Sequence, residues 1–150
     1  PVSALTGDGV TDVVDELSKF TFESPHFFPD DMVSDQPERV VAAELIREKM
    51  LLLLRDEIPH GIAVVIENAS ERETENGLIL DLDAYIYCER ESHKGIVIGK
   101  RGAMLKEIAT QARKEMETLF GAKVNLQCWV KVKEDWRNRQ GLLGSFGYKL

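Results

Sequence analysis

Long apolar runs, paired cysteines and clustered histidines are all missing from this 150-residue chain, and each absence closes off a class of protein. No apolar stretch approaches the roughly 20 residues that cross a bilayer, and no signal-peptide pattern opens the sequence. The chain therefore reads as cytoplasmic. Cys88 and Cys128 stand alone inside alternating apolar segments, with no Cys-x-x-Cys spacing. They read as reduced core thiols rather than a disulfide or a metal site. His26, His60 and His93 are scattered, so no metal centre is expected from them either. What the chain does have is 43% hydrophobic residues, enough to bury a core and to exclude wholesale disorder. Its length suits one ordinary domain, or a small one with an appendage.

Basic residues are scarce over the first 89 positions, where 6 Lys/Arg face 20 Asp/Glu. Residues 90–150 reverse this, with 13 against 6. The overall net charge of −7 therefore conceals an acidic part and a basic part. That asymmetry fits a basic face directed at nucleic acid, set against an acidic remainder.

The basic part is built around residues 95–108, Gly-Ile-Val-Ile-Gly-Lys-Arg-Gly-Ala-Met-Leu-Lys-Glu-Ile. Gly99 and Gly102 bracket Lys100 and Arg101, and without a Cβ they let two backbones approach closely. Lys100 and Arg101 supply positive charge, and a following helix adds the positive end of its dipole. Those are the requirements of a phosphate clamp of the kind found in KH modules. The four-residue pattern is weak alone, being expected about once by chance in such a chain. Residues 141–144 and 144–147 also match it, but neither pair encloses a cation, and both read as a glycine-rich terminal turn. A P-loop needs four residues between its glycines and Ser or Thr after the Lys. Here three residues separate Gly95 from Gly99, and Arg101 follows Lys100; that reading fails.

Periodicity places the rest. Residues 1–7 suggest a strand end and a loop, and residues 9–20 a short helix with Val10, Val13, Val14 and Leu17 on one side. Residues 21–35, with Pro25, Pro29 and the pair Phe27-Phe28, suit a linker. Asp35 as N-cap, Pro37 in the first turn and Glu38 three residues after the cap announce a helix. It is expected to run to about Glu57, stopped by Ile58-Pro59-His60-Gly61, and to be buried on two sides. A short strand, residues 62–67, is followed by an acidic stretch and the turn signal Asn76-Gly77. Residues 78–89 alternate, with Leu78, Leu80, Leu82, Ala84, Ile86 and Cys88 on one face and Asp81, Asp83, Tyr85 and Tyr87 on the other. A helix from about Gly102 to Leu119 carries the stripe Leu105, Ile108, Ala109, Ala112 and Met116, with Gly121 as its cap. The last strand, residues 123–133, turns Val124, Leu126, Cys128, Val130 and Val132 inward. Beyond Trp136 the sequence reads as a basic, glycine-containing tail. Trp129 falls on the opposite strand face, where it either stacks a base or is covered by that tail; Trp136, beside Arg137 and Arg139, leaves the same choice. Tyr85 and Tyr87 read as structural.

Helices on the apolar face of such strands make a two-layer α+β domain, and the element order matches the type II KH arrangement, a three-stranded mixed sheet packed with helices. Four ordered blocks sharpen the match: Asp35-Gln36-Pro37-Glu38-Arg39, Glu57-Ile58-Pro59-His60, residues 95–108, and Trp129-Val130-Lys131-Val132-Lys133-Glu134-Asp135-Trp136-Arg137. With these the chain resembles the C-terminal half of the Era family of ribosome-assembly GTPases. The resemblance implies a remnant of an α/β GTPase domain at 1–20, a linker at 21–35, a type II KH RNA-binding domain at 36–136 and a basic tail at 137–150. Ser3, Ala4 and Leu5 then correspond to a guanine-contacting loop that acts only in the full-length protein. The family's phosphate loop, Mg-binding Thr, Asp-x-x-Gly and Asn-Lys-x-Asp are absent, so the chain reads as a C-terminal fragment. It is expected to have no catalytic residue, no metal ligand and no cofactor of its own, with GTP and Mg belonging to the parent GTPase.

By the same resemblance the partner is the 3′ end of small-subunit (16S) ribosomal RNA during 30S subunit assembly, not DNA. Any contact with the inner membrane is peripheral, and the chain is a monomer. Gly99, Lys100, Arg101 and Gly102 are the candidate RNA clamp. Ile96, Ile98, Ala103 and Met104 form an apolar floor for unstacked bases. Lys94, Lys106, Lys131 and Lys133 are either outer electrostatic contacts or ordinary surface lysines. Two other classes stay open: a KH-fold protein-interaction module without RNA, and a GTP hydrolase in the full-length protein.

Overall fold

A computed structural model describes residues 1–25, 36–55, 58–75 and 77–147. The chain divides into two compact units, Pro1–Asp35 and Gln36–Leu150. In the first, residues 1–9 form turns without the strand end expected there. Gly7 N–H donates to Ser3 O at 2.9 Å and Ser3 N–H to Asp8 O at 2.9 Å, so these backbone groups are spent within the turn. Helix α1, Val10–Ser18, follows, and none of its residues is buried. The linker residues Phe27, Phe28 and Pro29 and the candidate cap Asp35 lie outside the described residues.

The second unit opens with α2, Glu38–Leu53, whose N-cap is Pro37 rather than a side-chain acceptor. Pro37 thus stands just before the helix, not inside its first turn, and Glu38 is its first residue. The helix also ends earlier than Glu57. Leu54 turns extended (φ −93°, ψ 156°) and buries its side chain in the core, because packing Leu54 and Pro59 inward outweighs another turn of solvent-facing helix. Ala42, Ile46 and Met50 form its buried face, while Leu51 and Leu52 are exposed. The expected burial on two sides is therefore one buried stripe, shared between strand β1 (Ile62–Thr74) and helix α4 (Ala103–Phe120). Lys49 is buried at this seam, its ammonium bonded to Glu115 and Glu48. The hydrogen bond to Glu115 is the main reason its pKa rises above the ordinary lysine value.

Strand β1 is twice its expected length, taking in the acidic stretch, because Gly77 onward forms β2, Gly77–Cys88, directly against it. The two are antiparallel from Ile62↔Cys88 to Thr74↔Gly77, with a bulge between Ile66 and Asn68. Asn76, the other half of the turn signal, lies outside the described residues. Strand β3, Lys123–Val132, pairs with β2 in parallel, giving a mixed sheet of order β1-β2-β3. The inner face carries Leu80, Leu82, Ala84, Ile86 and Cys88 of β2 against Ile46, Ile108, Ala112 and Met116. Leu78, expected inward, is 38% exposed, since the sheet outruns its helices there. Burial pushes the Cys88 and Cys128 thiols up to about 11, so both are protonated packing groups at neutral pH.

The segment after Trp136 is not a free tail. A single 3₁₀ turn at Trp136–Asn138 leads into α5, Gln140–Ser145, and this pair covers one end of the outer sheet face. Trp136 is buried with Ala63 and Tyr87, and its indole N–H donates to Gly61 O at 3.2 Å. Arg137 forms a two-pronged ion pair with Glu89, at 3.0 and 2.6 Å. Leu142, Leu143 and Phe146 supply the apolar spacing that seats α5.

Two stability outcomes follow from these contacts. Ile108→Ala, at a fully buried position, is expected to cost about 2–5 kcal/mol in urea unfolding, while Leu52→Ser changes stability by less than about 0.5 kcal/mol. At the far end of α4, burial alone would raise the Glu117 pKa. The Val124 N–H (3.3 Å), Arg113 (2.8 Å) and Lys123 (3.4 Å) outweigh it and hold the carboxyl below its usual 4.5. A carboxyl depressed on folding stabilises above its unfolded value and loses that contribution as pH falls through the folded one. Urea midpoints measured from pH 7 to below pH 4.5, where the depressed carboxyl takes up its proton, should therefore fall less steeply in Glu117→Gln than in the parent.

Candidate nucleic-acid interface

The basic glycine segment joins two helices. Helix α3, Glu91–Ile98, is pinned to the core by fully buried Val97 and closed by Gly99 N–H donating to Gly95 O at 2.9 Å. Gly99 then takes φ 71°, ψ 178°, a conformation that only glycine adopts without strain. Its Cα lies so close to the next helix that an added Cβ would stand 2.6 Å from Met104 Cβ and 2.9 Å from Met104 N. Lys100, Arg101 and Gly102 form one 3₁₀ turn, with Gly102 N–H donating to Gly99 O at 3.2 Å. Arg101 (φ 53°) and Gly102 (φ 79°) are both left-handed. An L-residue at such a φ costs on the order of 1 kcal/mol, so the surrounding turn holds Arg101 against its own preference.

This backbone route leaves the two cations outside. Lys100 and Arg101 are exposed and make no ion pair among the described residues. Helix α4 starts at once behind them with Gly102 as N-cap, no side-chain cap and no acidic residue in its first turn. The first of its N–H groups, that of Ala103, bonds back to Lys100 O within the turn, no side chain caps the rest of the helix start, and the helix dipole adds positive potential there. The uncapped start of α4 is a feature that residue spacing gave no sign of; the lack of Ser, Thr, Asp or Asn at residues 99–103 was the available signal.

The remaining candidates are distributed unevenly. Ile96 is 48% exposed on α3, Ile98 and Met104 are half-buried, and Ala103 is exposed. Met104 packs on Gly99 and on the core together. Lys94 lies 3.9 Å from Glu91 on its own helix, and Lys106 is exposed on α4. Helix α3 also packs against β3, which is paired on one side alone and so presents a free strand edge near the clamp. Lys131 departs from the group: its ammonium sits 3.7 Å from the Tyr85 ring centroid, on the outer sheet face away from the helices. Trp136 is a buried anchor of the C-terminal segment and is unavailable to a base. Trp129 stacks on Tyr85 at 5.1 Å and 20°.

Replacing Gly99 by Ala forces Met104 out of place. The expected result is a lower unfolding midpoint and altered amide NMR signals from residues 96–106, whereas Gly102→Ala, whose added Cβ meets nothing within 4 Å, costs only its left-handed strain, about 1 kcal/mol.

Comparison with known proteins agrees with this geometry. The model of the KH domain family matches residues 57–137. GTPase Era of Clostridioides difficile is 53% identical over 148 residues, covering 99% of this chain and 49% of its own length. GTPase Era of Ruminiclostridium cellulolyticum is 52% identical over 149 residues with the same coverage. The chain thus spans about half the length of the curated relatives it matches. A crystal structure of a variant Aquifex aeolicus Era bound to GDP and aluminium fluoride superposes with a TM-score of 0.88 at 41% identity, covering all of this chain and 50% of that one. A crystal structure of Era in complex with MgGDPNP and nucleotides 1506–1542 of 16S ribosomal RNA gives 0.89 at 41% identity, covering 100% and 49%. With a family match across residues 57–137, a mixed three-stranded sheet and a glycine-bracketed basic turn between its helices, this chain belongs to the KH domain family.

Proposed function

We propose that this chain binds single-stranded RNA at the α3–α4 junction, and that its target is the 3′ end of small-subunit ribosomal RNA during 30S assembly, as the RNA-binding part of an Era-like GTPase. The observation that carries the reading is the junction itself: a backbone stripped of Cβ atoms at Gly99 and Gly102, two cations between them with no ion pair among the described residues, and a helix start with no side-chain cap behind. Backbone atoms of residues 99–102 approach the sugar-phosphate chain, Lys100 and Arg101 neutralise phosphates, and the positive end of the α4 dipole adds to their field. Ile96, Ile98, Ala103 and Met104 offer an apolar surface to bases turned away from solvent, with Lys94 and Lys106 as outer charges. The solved Era complex with nucleotides 1506–1542 supports 16S ribosomal RNA as the partner.

Nucleotide chemistry belongs elsewhere in this reading. Ser3 is half-buried with its backbone groups spent within the turn, while Ala4 and Leu5 are exposed and can offer backbone groups to a guanine edge. GTP and Mg are therefore assigned to the longer protein, in which residues 1–20 complete a GTPase domain and residues 21–35 link it to the KH domain. The chain itself is a monomeric, cytoplasmic, non-catalytic module.

The test is RNA affinity of Lys100→Asp/Arg101→Asp against the parent on an unstructured strand of the 16S 3′-terminal sequence. The double change is expected to abolish measurable binding at moderate salt and to lower the slope of log affinity against log salt by about 1.4, from ~0.7 per phosphate contact. Unchanged affinity and slope would overturn the clamp and leave a protein-interaction role. GTP turnover by this chain above background would overturn its non-catalytic assignment.

A further inference from the structure

The outer face of the sheet carries a row of stacked aromatic rings that the clamp does not use. Trp129 stacks on Tyr85 (5.1 Å, 20°), Tyr85 on Tyr87 (6.4 Å, 21°) and Tyr87 on Phe146 (4.5 Å, 18°). The row starts at the free edge strand β3 and ends beneath α5. The C-terminal segment seals its inner end: Tyr87 and Trp136 are buried, and Phe146 closes over them. Trp129 is left outside that seal, 38% exposed, with one ring face backed by Tyr85. A tryptophan held flat by a second aromatic, at the open end of a ladder, has its orientation fixed before any ligand arrives.

Its neighbours along β3 are neutral or positive. The outward residues of β3 are Lys123, Asn125, Gln127, Trp129 and Lys131, with no carboxylate among them. Across the register, Gln127 sits opposite Asp83, whose carboxylate accepts from Asn68 at 3.0 Å, and Asn125 holds Asp81 jointly with Arg72. Lys131 lies over Tyr85, beside the indole. The acidic side chains nearest the platform are thus already hydrogen-bonded, while Lys131 and Gln127 flank the indole on the outward face of β3. That combination of a rigid aromatic surface with adjacent positive charge is what a stacked nucleobase and its phosphate require.

Position connects it to the clamp. Val130 faces the helices and Trp129 the opposite side, one residue apart on the edge strand against which α3 packs. A Gly-x-x-Gly clamp holds about four nucleotides, so a longer strand must leave it.

We propose that Trp129 is a second base-stacking site, taking an unpaired nucleobase of single-stranded RNA that continues from the clamp around the edge of β3, with Lys131 at its phosphate. The inference rests on the RNA reading of the clamp, and the experiment separates the two. Affinities are measured for an unstructured RNA of about four nucleotides and one of about twelve, with tryptophan emission followed in the same titrations. Trp129→Ala is expected to weaken the longer RNA roughly 5- to 100-fold and to leave the shorter one within about twofold. Trp129→Phe, which keeps a stacking ring, recovers most of the loss. In the parent the longer RNA quenches Trp129 emission and the shorter does not; in Trp129→Phe, where buried Trp136 is the remaining indole, that quenching is gone.

Quenching of the parent needs no variant, so a misfolded Trp129→Ala leaves the test intact. Three results overturn the proposal: no change in Trp129 emission at saturating longer RNA, equal affinities of parent and Trp129→Ala for it, or equal losses on both RNAs, which would place the effect in folding. Should Lys100→Asp/Arg101→Asp bind both RNAs normally while Trp129→Ala loses the longer one, the clamp reading fails and the platform stands.

Discussion

The close approach of Gly99 to Met104 is the contact on which the interface depends. Val97 anchors α3 and Ile108 anchors α4 in one apolar core, so the helices cannot move apart to make room at their junction. The chain must then reverse within four residues, and only a glycine fits at position 99 against Met104. Because the turn is closed by its own backbone hydrogen bonds, the side chains of Lys100 and Arg101 have nowhere to go but solvent. The rigidity of the core thus becomes a fixed display of charge. It also removes the entropy that a flexible loop would lose on ordering around a phosphate backbone.

Electrostatics follows the same division between structure and display. The acidic residues of the sheet are held locally, Asp81 by Arg72 and Asn125 and Glu89 by Arg137. Asn125 and Arg72 together keep the Asp81 carboxyl below its usual range. Charges of this kind set strand register and seat the C-terminal segment, and little of their field is left for a partner. The cations at the clamp have no such local partner among the described residues, so the net negative charge of the chain is compatible with a positive binding surface.

The outer sheet face shows how a two-layer domain acquires a third layer at one end. Tyr87, Ala63 and Val65 would otherwise lie in water, and the segment 136–147 covers them with Trp136, Leu142, Leu143 and Phe146. Tyr87 donates its hydroxyl hydrogen to Glu67 at 2.8 Å, and burial is the first cause that pushes its pKa up to about 12. The cover stops before the edge strand, and Trp129 marks where it stops.

Residue order by itself determined the glycine-bracketed basic turn, the stripe of α4, the alternation of β2 and β3 and the family likeness. Each of these rests on local spacing, a period of 3.6 or 2 or a glycine bracket, and survives whatever surrounds it. The tertiary structure decided what depends on a partner element. The length of β1 came from β2 lying beside it, since residues 67–74 have no apolar alternation of their own. The early end of α2 came from Leu54 and Pro59 finding the core. The fate of the two tryptophans was set by α5, a six-residue helix with three glycines nearby and too weak a propensity to be read without the sheet it covers. Trp129 lies between Cys128 and Val130 and Trp136 between Asp135 and Arg137, and neither setting tells the buried anchor from the open ring; the reach of that helix does. Such choices turn on which surfaces remain uncovered after packing, a property of the assembled layers that no window of sequence contains.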